Sequence, residues 1–422
     1  MPLTMWLGWF KIQSRQRGYG TMTFSIGLAV LSLWFWEPRV LIITALVILT
    51  YADGFAAVAG SLFGKRKYQV GPVVKSLEGS ITFFLVALVG VAATLYIYQT
   101  GPISEILVVA LLMAVMTTAI EAVCVGDLDN GIIPVFSVIM LEVLLGLETR
   151  ALLVVAGGVA GSGVLVAAAY RLRWVTIQGG LVAFTILAAI YTIGGWMWLL
   201  PIAFLLVSAS LVAKVTGGAF DNPFVEKKGP RDLFQIAAKG GPSLLLALAF
   251  ALSGWAPLYI ICLAVIATAS ADTWASSFGE YAQADPIRSL PLLRNVPKGL
   301  SGGVTLTGSV AALVGSALVA AFAFLCVDCV DFVDGADPWL VFGLVALSGW
   351  LGAVVDSILG TTVQAVYDCP KCSRQTEAPQ HCGEATTLVK GLAKINNDVV
   401  NLLSGTVGGL IAAALVMISM TG

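Results

Sequence analysis

Histidine and charge are what this chain has least of: among 422 residues there is one His, and 11% charged residues stand against 58% hydrophobic ones. Soluble domains carry about 25% charge, so a water-soluble fold is excluded and the chain reads as a polytopic membrane protein. A single histidine rules out histidine-rich metal centres. The formal net charge of −1 provides no basic field, and no nucleic-acid partner is expected. Seven cysteines, mostly in apolar runs or on a basic face, do not form the framework of a secreted disulfide-rich domain. Met1 to Gly20 is basic and amphiphilic without an apolar stretch before a small-residue cleavage site, so no cleavable signal is expected. No Walker A loop is present, because Gly60-Ser-Leu-Phe-Gly64-Lys65-Arg66 has the wrong gap and lacks the Ser/Thr. Kinase-type and Rossmann glycine patterns are missing too. Any nucleotide site must therefore be intramembrane and of another design.

What is present is apolar sequence in spanning lengths. About twelve runs approach the ~20 residues that a crossing helix needs, from 19–36 through 339–360, with a further one at 402–421. The weakest are 38–51 and 243–254. The expected class is all-α, with about 12 transmembrane helices in two related units, residues 1–172 and 173–422. Lys and Arg gather in alternate connections, such as Lys65–Lys75, Lys214–Lys239, Arg288–Lys298 and Lys371–Lys394. The positive-inside rule then puts the N-terminus and all polar, glycine-rich segments on the cytoplasmic side. A prokaryotic plasma membrane is the expected location.

The polar residues repeat in order. Asp53 follows an apolar run, Gly60 comes seven residues later, then Gly64, and Lys75-Ser76-Leu77-Glu78-Gly79 precedes the next apolar helix. Asp272 is likewise followed by Gly279 at seven residues, and Lys298 precedes Gly302 by four, as Lys75 precedes Gly79. Two helices on, Glu121 in the first unit matches Asp356 in the second; Asp129-Asn130 then matches Asn397-Asp398. An acid inside a membrane helix is costly and rarely incidental. Carboxylates hold Mg²⁺, lysine neutralises phosphate oxygens and glycine admits backbone N–H groups to them. An acid near an acceptor hydroxyl can take its proton. Any one of these acids is equally well explained by a helix end or a buried ion pair; the doubled set is harder to explain that way. The candidate catalytic groups are Asp53, Lys75, Glu121, Asp129, Asp272, Lys298, Asp356 and Asp398. Metal would fall to Asp53, Asp129, Asp272 and Asp356. Gly60, Gly64, Ser76, Gly79, Asn130, Arg231, Gly279, Gly302 and Asn397 would contact the nucleotide.

Two further segments belong to the second unit. Arg231, Asp232, Gln235 and Lys239 lie at helical spacing on a short helix that Gly240-Gly241-Pro242 is expected to end. In an insertion at roughly 364–393, Cys369-x-x-Cys372 and then His381-Cys382 have the look of a zinc knuckle. Cys369, Cys372 and Cys382 are the candidate zinc ligands, adjacent His and Cys being an awkward pair; free or redox-active thiols are the alternative. Cys326 and Cys329 read as packing or a labile disulfide, Cys124 and Cys262 as buried apolar residues.

These residues carry a resemblance. The first unit, with ADGFAAVAGSLFG, KSLEGS and a Glu eight residues before Asp-Asn, resembles the phytol kinase and dolichol kinase group of polyprenol kinases. The second, with KKGPRDLFQIAAKGG, SADTWASSFGE, PKGLSGGVTLTG, VVDSILGTTVQ and INNDVVNLLSG, resembles the phytyl-phosphate kinase family. The resemblance implies a fusion that phosphorylates an isoprenoid alcohol twice, for salvage, with CTP as donor and Mg²⁺. It implies metal or phosphate roles for Asp53 and Asp129, phosphate binding by Lys75, and alcohol orientation or deprotonation by Glu121. In the second unit it implies carboxylate roles for Asp272, Asp356 and Asp398, phosphate contacts from Lys298 and Arg231, and a nucleotide or metal role for Asn397. Partners would be prenol, prenyl phosphate, nucleotide and bilayer, with homo-oligomerisation left open. A CDP-lipid cytidylyltransferase and a duplicated transporter are the competing readings.

Overall fold

The computed structural model describes residues 20–421 apart from 35, 72, 218–228, 282–287, 290–300 and 326–336. Lys298, Cys326 and Cys329 lie outside the described residues. The chain is helical and membrane-embedded in character: ten helical segments among the described residues are long and apolar enough to cross a bilayer. It divides into two compact units, Met1–Gly157 and Gly158–Gly422.

In the first unit, α1 (Gly20–Trp34) is followed by α2 (Arg39–Val47), a π turn (Ile48–Asp53) and α3 (Gly54–Phe63) in one unbroken span. The weak run at 38–51 is thus extended rather than ended by its aspartate, and Asp53 sits inside the helix. A π turn widens the ladder by one residue and is common at functional sites. The strands β1 (Lys67–Val70) and β2 (Val73–Ser76) form an antiparallel hairpin with Lys67 opposite Ser76. Next come α4 (Leu77–Ile97), α5 (Ile103–Val123), a 3₁₀ turn (Gly126–Leu128) and α6 (Asp129–Leu145). Ser76 caps α4 by accepting the Gly79 N–H at 3.2 Å. The core is built from fully buried Leu41, Ile48, Phe83, Met113 and Met140.

Helix α7 (Thr149–Arg171) runs across the division. Its later half belongs with the second unit, because Gly158 and Gly163 lie against Tyr191 and Phe184 of the next helix. The sequence-based division at 172/173 falls at the end of this helix. The α8 segment (Ile177–Thr216) covers 40 residues, about 60 Å if straight and twice a bilayer's apolar thickness. It breaks at Gly195, with φ 64° and ψ −153°. Ile186 and Ile202, on either side of that break, both lie within 4 Å of the Cβ position of Gly240, so the chain turns back there. This is why the runs at 179–194 and 197–213 are separate crossings.

Helix α9 (Leu233–Ser253) begins at a capping box in which the Asp232 side chain accepts from the Gln235 N–H and the Gln235 side-chain oxygen accepts from the Asp232 N–H. It continues through Gly240-Gly241-Pro242, contrary to the expected stop. Proline removes one N–H and crowds the carbonyl four residues back, a cost membrane helices tolerate where neighbours re-satisfy the backbone. Helix α10 (Pro257–Tyr281) is the centre of this unit, buried almost without interruption from Pro257 to Ala271. It packs on α8 and α9 and on the three later helices α11 (Leu306–Ala320), α12 (Pro338–Thr362) and α13 (Asn397–Thr421). Short strands β3 (Arg288–Ser289) and β4 (Gly303–Val304) pair before α11. Between α12 and α13 lies a small β insertion: β5 (Val366–Asp368), β6 (Gln375–Thr376), β7 (Gln380–His381), β8 (Glu384–Ala385) and β9 (Thr387–Lys390). β5 is central to β6 and β9, and β7 pairs with β8.

Candidate functional sites

In the first unit, four elements bring their acids and lysine together. Lys75 Nζ, on β2, lies 2.9 Å from Glu121 Oε1 near the end of α5 and also donates to the Glu121 carbonyl. Ser80 donates to Glu121 Oε2 at 3.0 Å, and Tyr68 OH lies 2.8 Å from Ser80 Oγ. Asp129, in the first turn of α6, accepts the Asn130 N–H at 2.9 Å. The charges of Asp129, Glu121 and Lys75 all act on Asp53. Burial works to lower the Lys75 pKa, but Glu121 and Asp129 outweigh it and hold the ammonium above its ordinary range. Burial pushes the nearby Cys124 thiol up to about 12, so it is no nucleophile at neutral pH. The set is three carboxylates around one lysine, an oxygen-rich arrangement suited to a hard divalent cation.

The glycines have a different part. A Cβ on Gly60 would stand 3.0 Å from Ser76 Oγ and 3.8 Å from the Gly79 Cα; one on Gly79 would stand 3.1 Å from the Ala56 carbonyl. Gly64 is closed by its own helix, 2.2 Å from the Gly60 carbonyl by the same measure. These positions let α3 and α4 cross backbone against backbone, and helix packing accounts for them without a nucleotide.

The second unit repeats this crossing in detail. A Cβ on Gly279 would lie 3.2 Å from Thr305 Oγ1 and 3.7 Å from the Gly308 Cα; one on Gly308 would lie 2.9 Å from the Ala275 carbonyl. Thr305 caps α11 through the Gly308 N–H at 2.9 Å. Asp53, Ala56, Gly60, Ser76 and Gly79 therefore correspond to Asp272, Ala275, Gly279, Thr305 and Gly308. In that register Lys75 corresponds to Val304, not to Lys298. The shared four-residue spacing of Lys75–Gly79 and Lys298–Gly302 is a misalignment: Gly302, at φ 85°, is pressed against Thr361 and Ser357 of α12.

The cation of the second site comes from upstream. Lys239 Nζ, on α9, lies 2.8 Å from Asp272 Oδ2 and donates to Thr273 Oγ1 at 2.7 Å. Asp356 lies near enough to Asp272 for their charges to interact and accepts from Ser404 at 2.8 Å. A positive charge beside two adjoining carboxylates favours their ionised forms. Asn397 and Asp398 open α13, three turns or less from Ser404. Lys239, Ser404, Ser80 and Tyr68 are site residues that the motif reading passed over. For Lys239 the signal existed in the spacing Arg231, Gln235, Lys239.

Arg231 is buried, and burial pulls its pKa down, although a guanidinium stays charged. Its donors reach Ser210 Oγ at 2.7 Å and the Ala209 carbonyl at 3.0 Å. No carboxylate pairs with it among the described residues. With Gln235, Lys239 and Thr273 it forms the polar side of an open cleft whose other walls include Ile186, Leu187, Ile202, Leu205 and Ile236.

In the β insertion, Cys369, Cys372, His381 and Cys382 each present a ligand atom, and all four atoms lie within 4.8 Å of one another. Cys382 has φ 55° and Gly383 φ 82°. That left-handed turn brings the Cys382 thiol back to the His381 ring, which removes the awkwardness of adjacent ligands.

The model of an integral membrane protein family, DUF92, matches residues 160–409. Protein PGR of Arabidopsis thaliana is 29% identical over 56% of this chain and 86% of its own length. A phytol kinase from Synechocystis sp. is 30% identical over 30% of this chain. The chain spans about half of that kinase, 54% of its length. No solved structure matches. With more than half its residues under one family model, the chain belongs to the DUF92 family of integral membrane proteins.

Proposed function

We propose that this protein is a membrane isoprenoid kinase with two sites that act in succession. Residues 1–172 convert a prenol to its monophosphate, and residues 173–422 convert the monophosphate to the diphosphate, with CTP as donor. The observation that carries this reading is the doubled construction. Each unit has an aspartate inside a helix, a glycine crossing beyond it, a lysine on an acid, and a further acid in the first turn of a later helix. The similarity to a phytol kinase supports phosphoryl transfer to a lipid alcohol as the chemistry.

Phosphoryl transfer needs positioning and charge neutralisation more than covalent chemistry. Asp53 and Asp129 in the first site, and Asp272 and Asp356 in the second, are the groups that would hold Mg²⁺. When bound, that ion neutralises the donor's phosphate oxygens. Glu121 would orient the alcohol or take its proton as the oxygen attacks the terminal phosphorus and CDP departs. Lys75 holds Glu121 in position and stabilises the transferred group. In the second site the acceptor is already charged, so it needs no deprotonation but a firm hold on its head. The cleft fits that need, with an apolar wall for the tail and Arg231 and Lys239 for the phosphate. Asn397, Asn130 and Asp398 would complete the nucleotide and metal contacts. The alternating basic connections support a cytoplasmic face for both sites.

The test supplies purified protein with CTP, Mg²⁺ and geranylgeraniol or phytol, and follows lipid and nucleotide products together. Prenyl diphosphate with two CDP per lipid is the expected result. Pyrophosphate with a CDP-lipid would replace the reading by cytidylyl transfer, and an absence of turnover with any prenol or prenyl phosphate would remove it.

A further inference from the structure

The insertion between α12 and α13 has no counterpart in the first unit, where residues 124–128 make the same connection. Its four-residue cluster has the separations of a closed metal site. With Zn–S near 2.3 Å and Zn–N near 2.0 Å, a tetrahedron sets sulfur and nitrogen about 3.5 Å apart. Cys372 Sγ and Cys382 Sγ lie 3.5 and 3.3 Å from the same His381 Nδ1. One ring nitrogen carries at most one proton, so an ordinary two-centre hydrogen bond accounts for only one of these approaches. A shared cation accounts for both. Cys369, buried at the end of β5, supplies the third sulfur, and no disulfide joins these three cysteines.

The insertion also grips the second site. Glu377, buried between β6 and β7, accepts the Ser301 N–H at 3.3 Å. Gln364, buried just after α12, donates to Ser301 Oγ at 3.0 Å. Thr361 donates to the neighbouring Gly302 carbonyl at 3.1 Å. Ser301–Gly302 is thereby clamped onto α12 one to two turns from Asp356. The insertion's two ends are α12, which carries Asp356, and α13, whose Ser404 bonds it. A metal that folds the insertion therefore fixes the loop and both helices.

We propose that Cys369, Cys372, His381 and Cys382 bind one Zn²⁺, and that the zinc-folded insertion braces the Ser301–Gly302 loop and the helices of the second site. Zinc occupancy then governs the second phosphorylation and leaves the first alone; this last consequence rests on the function proposed above. The zinc is structural, since four protein ligands leave no open position.

The experiment uses full-length protein in lipid nanodiscs. Metal analysis and zinc X-ray absorption are expected to give one zinc per chain with three sulfurs and one nitrogen. Cys372→Ser is expected to lose it. Chelation of the wild type, which avoids a folding defect, is expected to raise amide exchange at Ser301–Val304 and to slow prenyl phosphate turnover by about tenfold or more. Prenol phosphorylation is expected to stay. Glu377→Gln is expected to keep the zinc and still raise exchange at Ser301. Zinc-free protein with intact thiols, or a Cys369–Cys372 disulfide, would overturn the metal assignment. Unchanged exchange after zinc removal would overturn the brace. If the wild type phosphorylates no lipid, the proposed function fails, while metal content and exchange still decide the site.

Discussion

The two units share a helix crossing and differ in where their positive charge comes from. In the first, Gly60 and Gly79 meet under the Ser76 cap, and the next residue back, Lys75, reaches Glu121. In the second, Gly279 and Gly308 meet under Thr305, the next residue back is Val304, and Lys239 arrives from a separate helix to pair with Asp272. The crossing is fixed by backbone contact, which admits only glycine. The cation is fixed only by the place its ammonium must occupy, and any element that passes nearby can supply it. Scaffold repeats more faithfully than chemistry.

The strongest way to break this comparison is to remove the aspartates at equivalent helix positions. Asp53→Asn is expected to cut prenol phosphorylation by on the order of 10³-fold, the scale of losing a charge-handling group in phosphoryl transfer. Asp272→Asn is expected to do the same to prenyl phosphate turnover, each leaving the other step near wild type in steady-state assays.

The lysines sharpen it. Lys75→Met and Lys239→Met are each expected to slow their own step by about 10²-fold. Their stability costs should differ. The Lys75 and Glu121 side chains are 12% and 10% exposed, the Lys239 and Asp272 side chains 23% and 21%. Breaking a buried pair costs about 3–5 kcal/mol, so Lys75→Met should lower the thermal midpoint further, as scanning fluorimetry in detergent would report.

How much of this was legible in the chain depends on what each feature answers to. The membrane class follows from composition, and Asp53, Glu121, Asp272 and Asp356 were visible because acids are expensive among apolar neighbours. The register was not. A lysine four residues before a glycine occurs in both units, but the crossing is set by the capped helix start, Ser76-Leu77-Glu78-Gly79 against Thr305-Leu306-Thr307-Gly308. Lys239 and Asp272 are 33 residues apart, and only tertiary packing joins them. Gly240-Gly241-Pro242 resembles a helix stop and lies mid-helix, where membrane packing overrides the local signal.

The glycine crossing offers a smaller contrast. A methyl at Gly308 would stand 2.9 Å from a backbone carbonyl, and one at Gly79 would stand 3.1 Å from its counterpart. Both alanine variants are expected to lose about 1–3 kcal/mol, Gly308→Ala the more, in denaturation midpoints. Equal and negligible losses would remove the register.

The smallest effect concerns pH. The Lys75 pKa is raised above its ordinary 10.5 in the fold. Its stabilising contribution is therefore complete below about 10.5 and is lost as pH rises through the higher folded value. Thermal midpoints of the wild type should show no Lys75-dependent change between pH 6 and 9 and fall only above that range, with the fall reduced in Lys75→Met.

The most direct test of two independent sites mixes the aspartate variants. Asp53→Asn and Asp272→Asn proteins are reconstituted together in one set of vesicles with CTP, Mg²⁺ and a prenol. Diphosphate from the mixture, with neither variant alone producing it and Asp272→Asn accumulating monophosphate, is the predicted result. If each variant alone abolishes both steps and the mixture stays inert, the two clusters form a single site and the account is wrong.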